Sequence, residues 1–105
     1  MTGRRVLAAA TLAVGLAGCT DQATDPLAER GRQVYLAHCM VCHGPDPAQA
    51  GPLGPAVSGS SRALLEAKVL RGDYPPGYTP KRDSRAMPPM PALAPDVETL
   101  AAFLR

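Results

Sequence analysis

Cys39-Met40-Val41-Cys42-His43 puts two thiols and an imidazole within five residues. Thiols three residues apart lie on one helical turn, where each can add to one vinyl group of the same haem. The adjacent histidine then reaches the iron from one side. Other chemistries fit this segment less well. A thioredoxin-like dithiol needs a βαβ context, which the surrounding sequence lacks. A structural zinc site needs four ligands, and the segment offers three, with His38 as the spare. A disulfide closing so short a loop would stabilise little. The second face of the iron calls for another ligand, and Met87 and Met90 in Arg85-Ala86-Met87-Pro88-Pro89-Met90-Pro91 supply soft thioethers. Met40 points along the attachment turn, and His38, just before it, cannot readily reach the opposite face.

The chain has 105 residues, enough for one domain. Residues 1–18 read as a targeting segment: Arg4 and Arg5 precede an apolar run from Val6 to Gly18 that is too short to span a bilayer. Leu16-Ala17-Gly18-Cys19 resembles the lipobox of bacterial lipoproteins, in which the cysteine receives a diacylglycerol and cleavage falls just before it. That resemblance implies a membrane tether at Cys19, with residues 19–25 as a short linker and 26–105 as the domain. Arg4 and Arg5 also account for the whole excess of 11 basic over 9 acidic residues. The remainder is balanced, and nothing in it suggests nucleic acid. Locally, Lys68 to Arg85 carries five basic residues against Asp73 and Asp83, an excess that suits an acidic partner within the roughly 10 Å reach of charge at ordinary salt. With three tyrosines, one phenylalanine and no tryptophan, a domain this small needs something else to fill its core, and a haem would do so.

The elements that must position these residues are helical. Asp25 can cap a helix from Pro26 to Ala37, on which Leu27, Gly31, Val34, Tyr35 and His38 recur near helical spacing. Residues 44–59 are rich in Gly and Pro and read as loop. Ser60-Ser61 opens a second helix from Arg62 to Arg71, stopped by Gly72. Gly72 to Pro95 holds seven of the 12 prolines and excludes regular helix. Pro95-Asp96 opens a last helix with Val97, Leu100, Ala101, Phe103 and Leu104 on one face.

With these motifs in order, the sequence resembles the class I c-type cytochromes, the mostly helical single-haem family. Gly31-x3-Tyr35-x3-Cys39 matches the family's first helix, and Leu100-x2-Phe103-Leu104 its last. The resemblance implies an all-α fold, a small cytochrome c fold of about three helices around one covalent haem c, with Pro/Gly-rich loops. It also implies that Gly31, Tyr35, Leu100 and Phe103 support the haem pocket where the terminal helices cross. Gly54-Pro55-Ala56-Val57-Ser58-Gly59 resembles the loop in which a carbonyl next to a proline receives the N–H of the proximal histidine. Pro55 is preferred there, with Gly51-Pro52-Leu53 a competing match. The Met-Pro-Pro signature points to Met87 as the second axial ligand, with Met90 the alternative. Cys39 and Cys42 would carry the haem and His43 the proximal bond. Tyr74, Tyr78, Lys81, Arg82 and Arg85 are placed to donate to haem propionates or merely to solvate the loop.

With both axial positions filled, the expected protein is an electron carrier and not an enzyme. It would move single electrons between a redox donor and acceptor on the periplasmic side of a bacterial membrane, lipid-anchored through Cys19, as a monomer. A fixed electron-transfer subunit of a larger dehydrogenase or oxidase is the alternative, and a haem enzyme or gas sensor with an open distal site is a third reading.

Overall fold

The Asp25 carboxylate accepts the Leu27 N–H at 3.0 Å, and Pro26, whose ring presets the backbone angle, follows it. From this start α1 runs over Pro26–His38 in the computed structural model, which describes Gly15 and residues 25–105. The leader, Cys19 and the linker as far as residue 24 lie outside the described residues. Among those described there is no strand, so the architecture is all-α as expected.

Cys39 ends α1, its N–H donating to the Tyr35 carbonyl at 2.8 Å. The chain then turns at once into α2, Met40–His43, so the attachment motif is a helix of its own beyond the three expected. Gly44 closes it with a φ of 79°, which residues with a side chain rarely adopt.

Ser61 caps the next helix through its side-chain oxygen, which accepts the Leu64 N–H at 3.1 Å. This helix begins as α3, Arg62–Leu65, but continues over Glu66–Leu70 as a wider π-helical turn. The sequence pattern predicts one α-helix here, because apolar spacing does not separate the two windings over so short a run. Gly72, at a φ of 68°, ends it as expected and donates to the Lys68 carbonyl. Downstream, Met90 N–H donates to the Val69 carbonyl at 2.6 Å and ties the Pro-rich stretch to this helix.

Pro91–Asp96 winds as a 3₁₀ turn that leads into α4, Val97–Leu104, so the last helical segment starts earlier and tighter than Pro95-Asp96 suggests. Pro91 is tolerated at the start of that turn because the first N–H groups of a helical segment have no intrahelical acceptor to lose, and Pro95 lies inside the turn, just before α4 begins.

α4 packs across α1. Tyr35 and Leu100 are each 1 % exposed and form the centre of the core with Leu65, Val69, Leu93, Val97 and Leu104. Burying such a side chain fully stabilises by about 1.5–3 kcal/mol. Tyr35 and Phe103 meet at a centroid distance of 5.4 Å with planes tilted by 50°, a favourable aromatic geometry. The apolar face read on α1 is shorter than its spacing implies. Gly31 and Tyr35 are buried, whereas Leu27 and His38, at the two ends, are exposed because α4 covers only the middle. No described helix is long and apolar enough to cross a membrane.

Candidate functional site

α2 is too short to hold a side chain rigidly, so its surroundings must do so. The loop after it folds back, and Leu53 and Gly54 N–H both donate to the Cys42 carbonyl, at 3.1 and 2.9 Å. This satisfies a carbonyl at the helix end that has no intrahelical partner. It also lays the next residues against the His43 ring. A Cβ on Gly54 would stand 2.5 Å from His43 Cε1 and 2.6 Å from Nδ1, so only glycine lets the backbone approach this closely. The Pro55 carbonyl then lies 2.8 Å from His43 Nδ1. A carbonyl only accepts, so Nδ1 carries the proton and the Nε2 lone pair is free to bind a metal. The competing Gly51-Pro52-Leu53 match takes another position: a Cβ on Gly51 would meet backbone atoms of Cys42, His43 and Gly44 instead of the imidazole.

His43 is buried to 9 % exposure and faces an open cleft. Tyr35, Leu65, Val69, Leu100 and Leu104 form apolar walls, and Met87 lies in the same lining, whereas Met90 does not. Met90 packs against the core from outside the cleft. Cys39 lines the cleft, while Cys42, half-buried one turn further on, is not among the lining residues. Pro55 lines it too, and Gly31 and Phe103 stand behind the wall at the helix crossing. Tyr74, Tyr78, Lys81 and Arg82 line the loop side, but Arg85 does not. There Tyr74 and Tyr78 stack at 5.5 Å, and the Lys68 ammonium sits 4.5 Å from the Tyr74 ring centre.

Burial pushes the Cys39 thiol up to about 11, with neighbouring Cys42 adding to the rise. A redox-active dithiol instead lowers its thiol into the thiolate range, and Cys39 moves the other way. Burial also raises the Tyr35 phenol, with Cys39 and Asp46 adding to it. The phenol stays protonated and donates to the Gly44 carbonyl at 2.7 Å, pinning the end of the attachment turn to α1. Among the described residues no group of three His, Cys, Asp or Glu side chains could hold a bare metal ion.

The family model for cytochrome c matches residues 28–105. The chain belongs to the cytochrome c family. A cytochrome c-553-like protein of Synechocystis sp. (strain ATCC 27184 / PCC 6803 / Kazusa) is 33% identical over 78 residues, covering 73% of this chain. The chain spans 63% of that relative's length. No solved structure matches it.

As in the rest of the family, the cofactor is one covalently attached haem c, and the described residues fit it. The cleft has the mostly apolar lining usual for ligand sites. Its walls are apolar, its one imidazole has Nε2 available, and a half-buried cysteine stands in the lining. Haem supplies a one-electron iron couple. Sequence reasoning did not single out the walls built by Leu65 and Val69, or place Leu104 in the cleft, and it missed the bond from Lys81 Nζ to the Ala56 carbonyl at 2.7 Å. The walls have a sequence signal, in the apolar spacing of Leu65, Val69 and Leu104 on their helices. The lysine contact has none.

Proposed function

We propose that the protein is a mono-haem electron carrier in which Cys39 and Cys42 attach the haem and His43 and Met87 are the axial ligands. The observation that carries this is the 2.8 Å contact of His43 Nδ1 with the Pro55 carbonyl, in a cleft that Met87 also lines. The carbonyl orients the ring and makes Nε2 more basic as a ligand. The prolines after Met87 restrict the backbone on which the thioether is carried. A histidine–methionine pair raises the potential and leaves no open position for substrate or O₂. The protein therefore takes one electron from a reduced donor and passes it to an oxidised acceptor, with no bond made or broken, and acts as a carrier and not as an enzyme.

Absorption spectra of wild-type holoprotein, Met87→Ala and Met90→Ala test the assignment. The methionine–iron charge-transfer band should vanish in Met87→Ala alone, and its loss in Met90→Ala alone would transfer the ligand role to Met90.

The protein works outside the cytoplasmic membrane, tethered through a lipid on Cys19, with residues 1–18 removed, 19–25 as the linker and 26–105 as the haem domain. The Leu16-Ala17-Gly18-Cys19 pattern supports this. Cys19→Ser should move the protein from the membrane to the soluble fraction of its host. A wild-type protein already recovered without lipid from the soluble fraction would remove the tether.

A further inference from the structure

We infer that Lys81 is a positioning residue for the second axial ligand, acting as a clip that closes the methionine loop onto the backbone beneath the proximal histidine. The inference rests on Met87 as that ligand.

Between Tyr78 and Met90 the chain carries Pro80, Pro88 and Pro89, which have no N–H, and none of the stretch is helical. Such a segment has few backbone donors with which to fasten itself. The Ala86 N–H is used locally, donating to Ser84 Oγ at 3.2 Å. Among the described residues, one hydrogen bond leaves the segment before Met90, from Lys81 Nζ to the Ala56 carbonyl at 2.7 Å. The next anchor is Met90 N–H on Val69, beyond Met87. Met87 is therefore held between two fastenings, and Lys81 provides the earlier one.

The acceptor gives the contact its meaning. Ala56 directly follows Pro55, whose carbonyl takes His43 Nδ1. Two consecutive carbonyls thus serve the two sides of the cleft, the first orienting the proximal imidazole and the second holding the loop that carries Met87. Lys81 also lines the cleft, although the residue and its bond are exposed to solvent at the rim. An ammonium donating to a carbonyl is a charge-assisted bond, stronger than a neutral one. A methionine thioether is a weak, soft donor, and whether it stays on the iron depends on how often its loop opens.

The test uses full-length holoprotein as wild type, Lys81→Met, Lys81→Arg, Arg71→Met and Met87→Ala. Methionine keeps much of the lysine's length without a donor, arginine restores donor and charge, and Arg71→Met removes a charge of the same basic stretch at an exposed position outside the cleft lining. Two readouts are followed: the methionine–iron charge-transfer band beside the helical circular dichroism along a denaturant series, and the rate of CO binding to the reduced protein. In Lys81→Met the band should disappear at lower denaturant than the helical signal, and CO should bind about tenfold faster because the loop is open more often. Lys81→Arg should return most of both effects, and Arg71→Met should match wild type. A wild-type CO rate in Lys81→Met, with band and helix lost together, would overturn the clip. So would an equal effect in Arg71→Met, which would make charge alone the cause. If Met87→Ala keeps the band, the ligand reading fails and the clip falls with it. If it loses the band while Lys81→Met stays normal, the clip alone fails.

Discussion

Gly31→Ala is expected to destabilise the holoprotein by about 3 kcal/mol and lower its melting temperature by roughly 15 °C. On an isolated helix the same change stabilises by about 1 kcal/mol, because alanine loses less backbone freedom than glycine. The sign reverses here because a methyl at position 31 would overlap the carbonyl of Thr99 on α4 and stand 2.9 Å from Phe103 Cβ. A backbone carbonyl cannot rotate aside as a side chain does, so α4 must move away from α1. That movement separates Tyr35 from Phe103 and loosens Leu100, at the centre of the core. A domain of this size has a total stability of only about 4–12 kcal/mol, so the loss is a large fraction of it. Denaturant midpoints of wild type, Gly31→Ala and Gln33→Ala measure the effect. Gln33 is exposed on the same helix, and its replacement should be neutral or slightly stabilising. A Gly31→Ala midpoint at or above wild type would show that the helices can separate without loss.

Gly54→Ala should also destabilise the protein, and it should change the haem as well. Its methyl would fall 2.5 Å from His43 Cε1, so the imidazole must swing or the loop must lift. Either movement breaks the 2.8 Å contact between Nδ1 and Pro55. A lost hydrogen bond plus an overpacked ring destabilises by about 2 kcal/mol. The direction of the redox effect follows from the proton on Nδ1. Sharing that proton with the carbonyl makes the ring a better electron donor, which favours the oxidised iron. Without it the donor weakens, and the midpoint potential should rise. Redox titration and denaturant unfolding of the same preparations measure both quantities. Stability and potential both unchanged would mean that the ring is not held from below by residues 54 and 55.

Much of this was legible in the sequence because the signals are local. The Cys39–His43 spacing needs one turn of helix, whatever surrounds it. Asp25, Pro26, Ser61 and Gly72 mark helix ends through their own side chains or backbone freedom, and they stand at those ends in the structure. Gly31, Tyr35, Leu100 and Phe103 are legible as a crossing through the family resemblance, and the glycine without a side chain gives the physical reason that the helices can approach there. The all-α class followed from these helices and from the absence of any long alternating run.

Spacing alone leaves open which of two Gly-Pro pairs serves the histidine. The structure places the Pro55 carbonyl on His43 because Leu53 and Gly54 first bond to the end of α2, a closure no local signal encodes. Likewise Met87 faces the cleft and Met90 does not, since Met90 N–H is drawn onto Val69 in a π-helical turn that apolar periodicity does not reveal. The Lys81–Ala56 bond joins residues 25 apart in the chain. By itself, then, the sequence determined that this is a helical haem-binding chain and which side chains are available to the iron. Only the tertiary structure decided which carbonyl faces the imidazole and what fastens the opposite loop. Those contacts arise where the chain meets itself after folding, and the direction of a carbonyl leaves no mark on residue type.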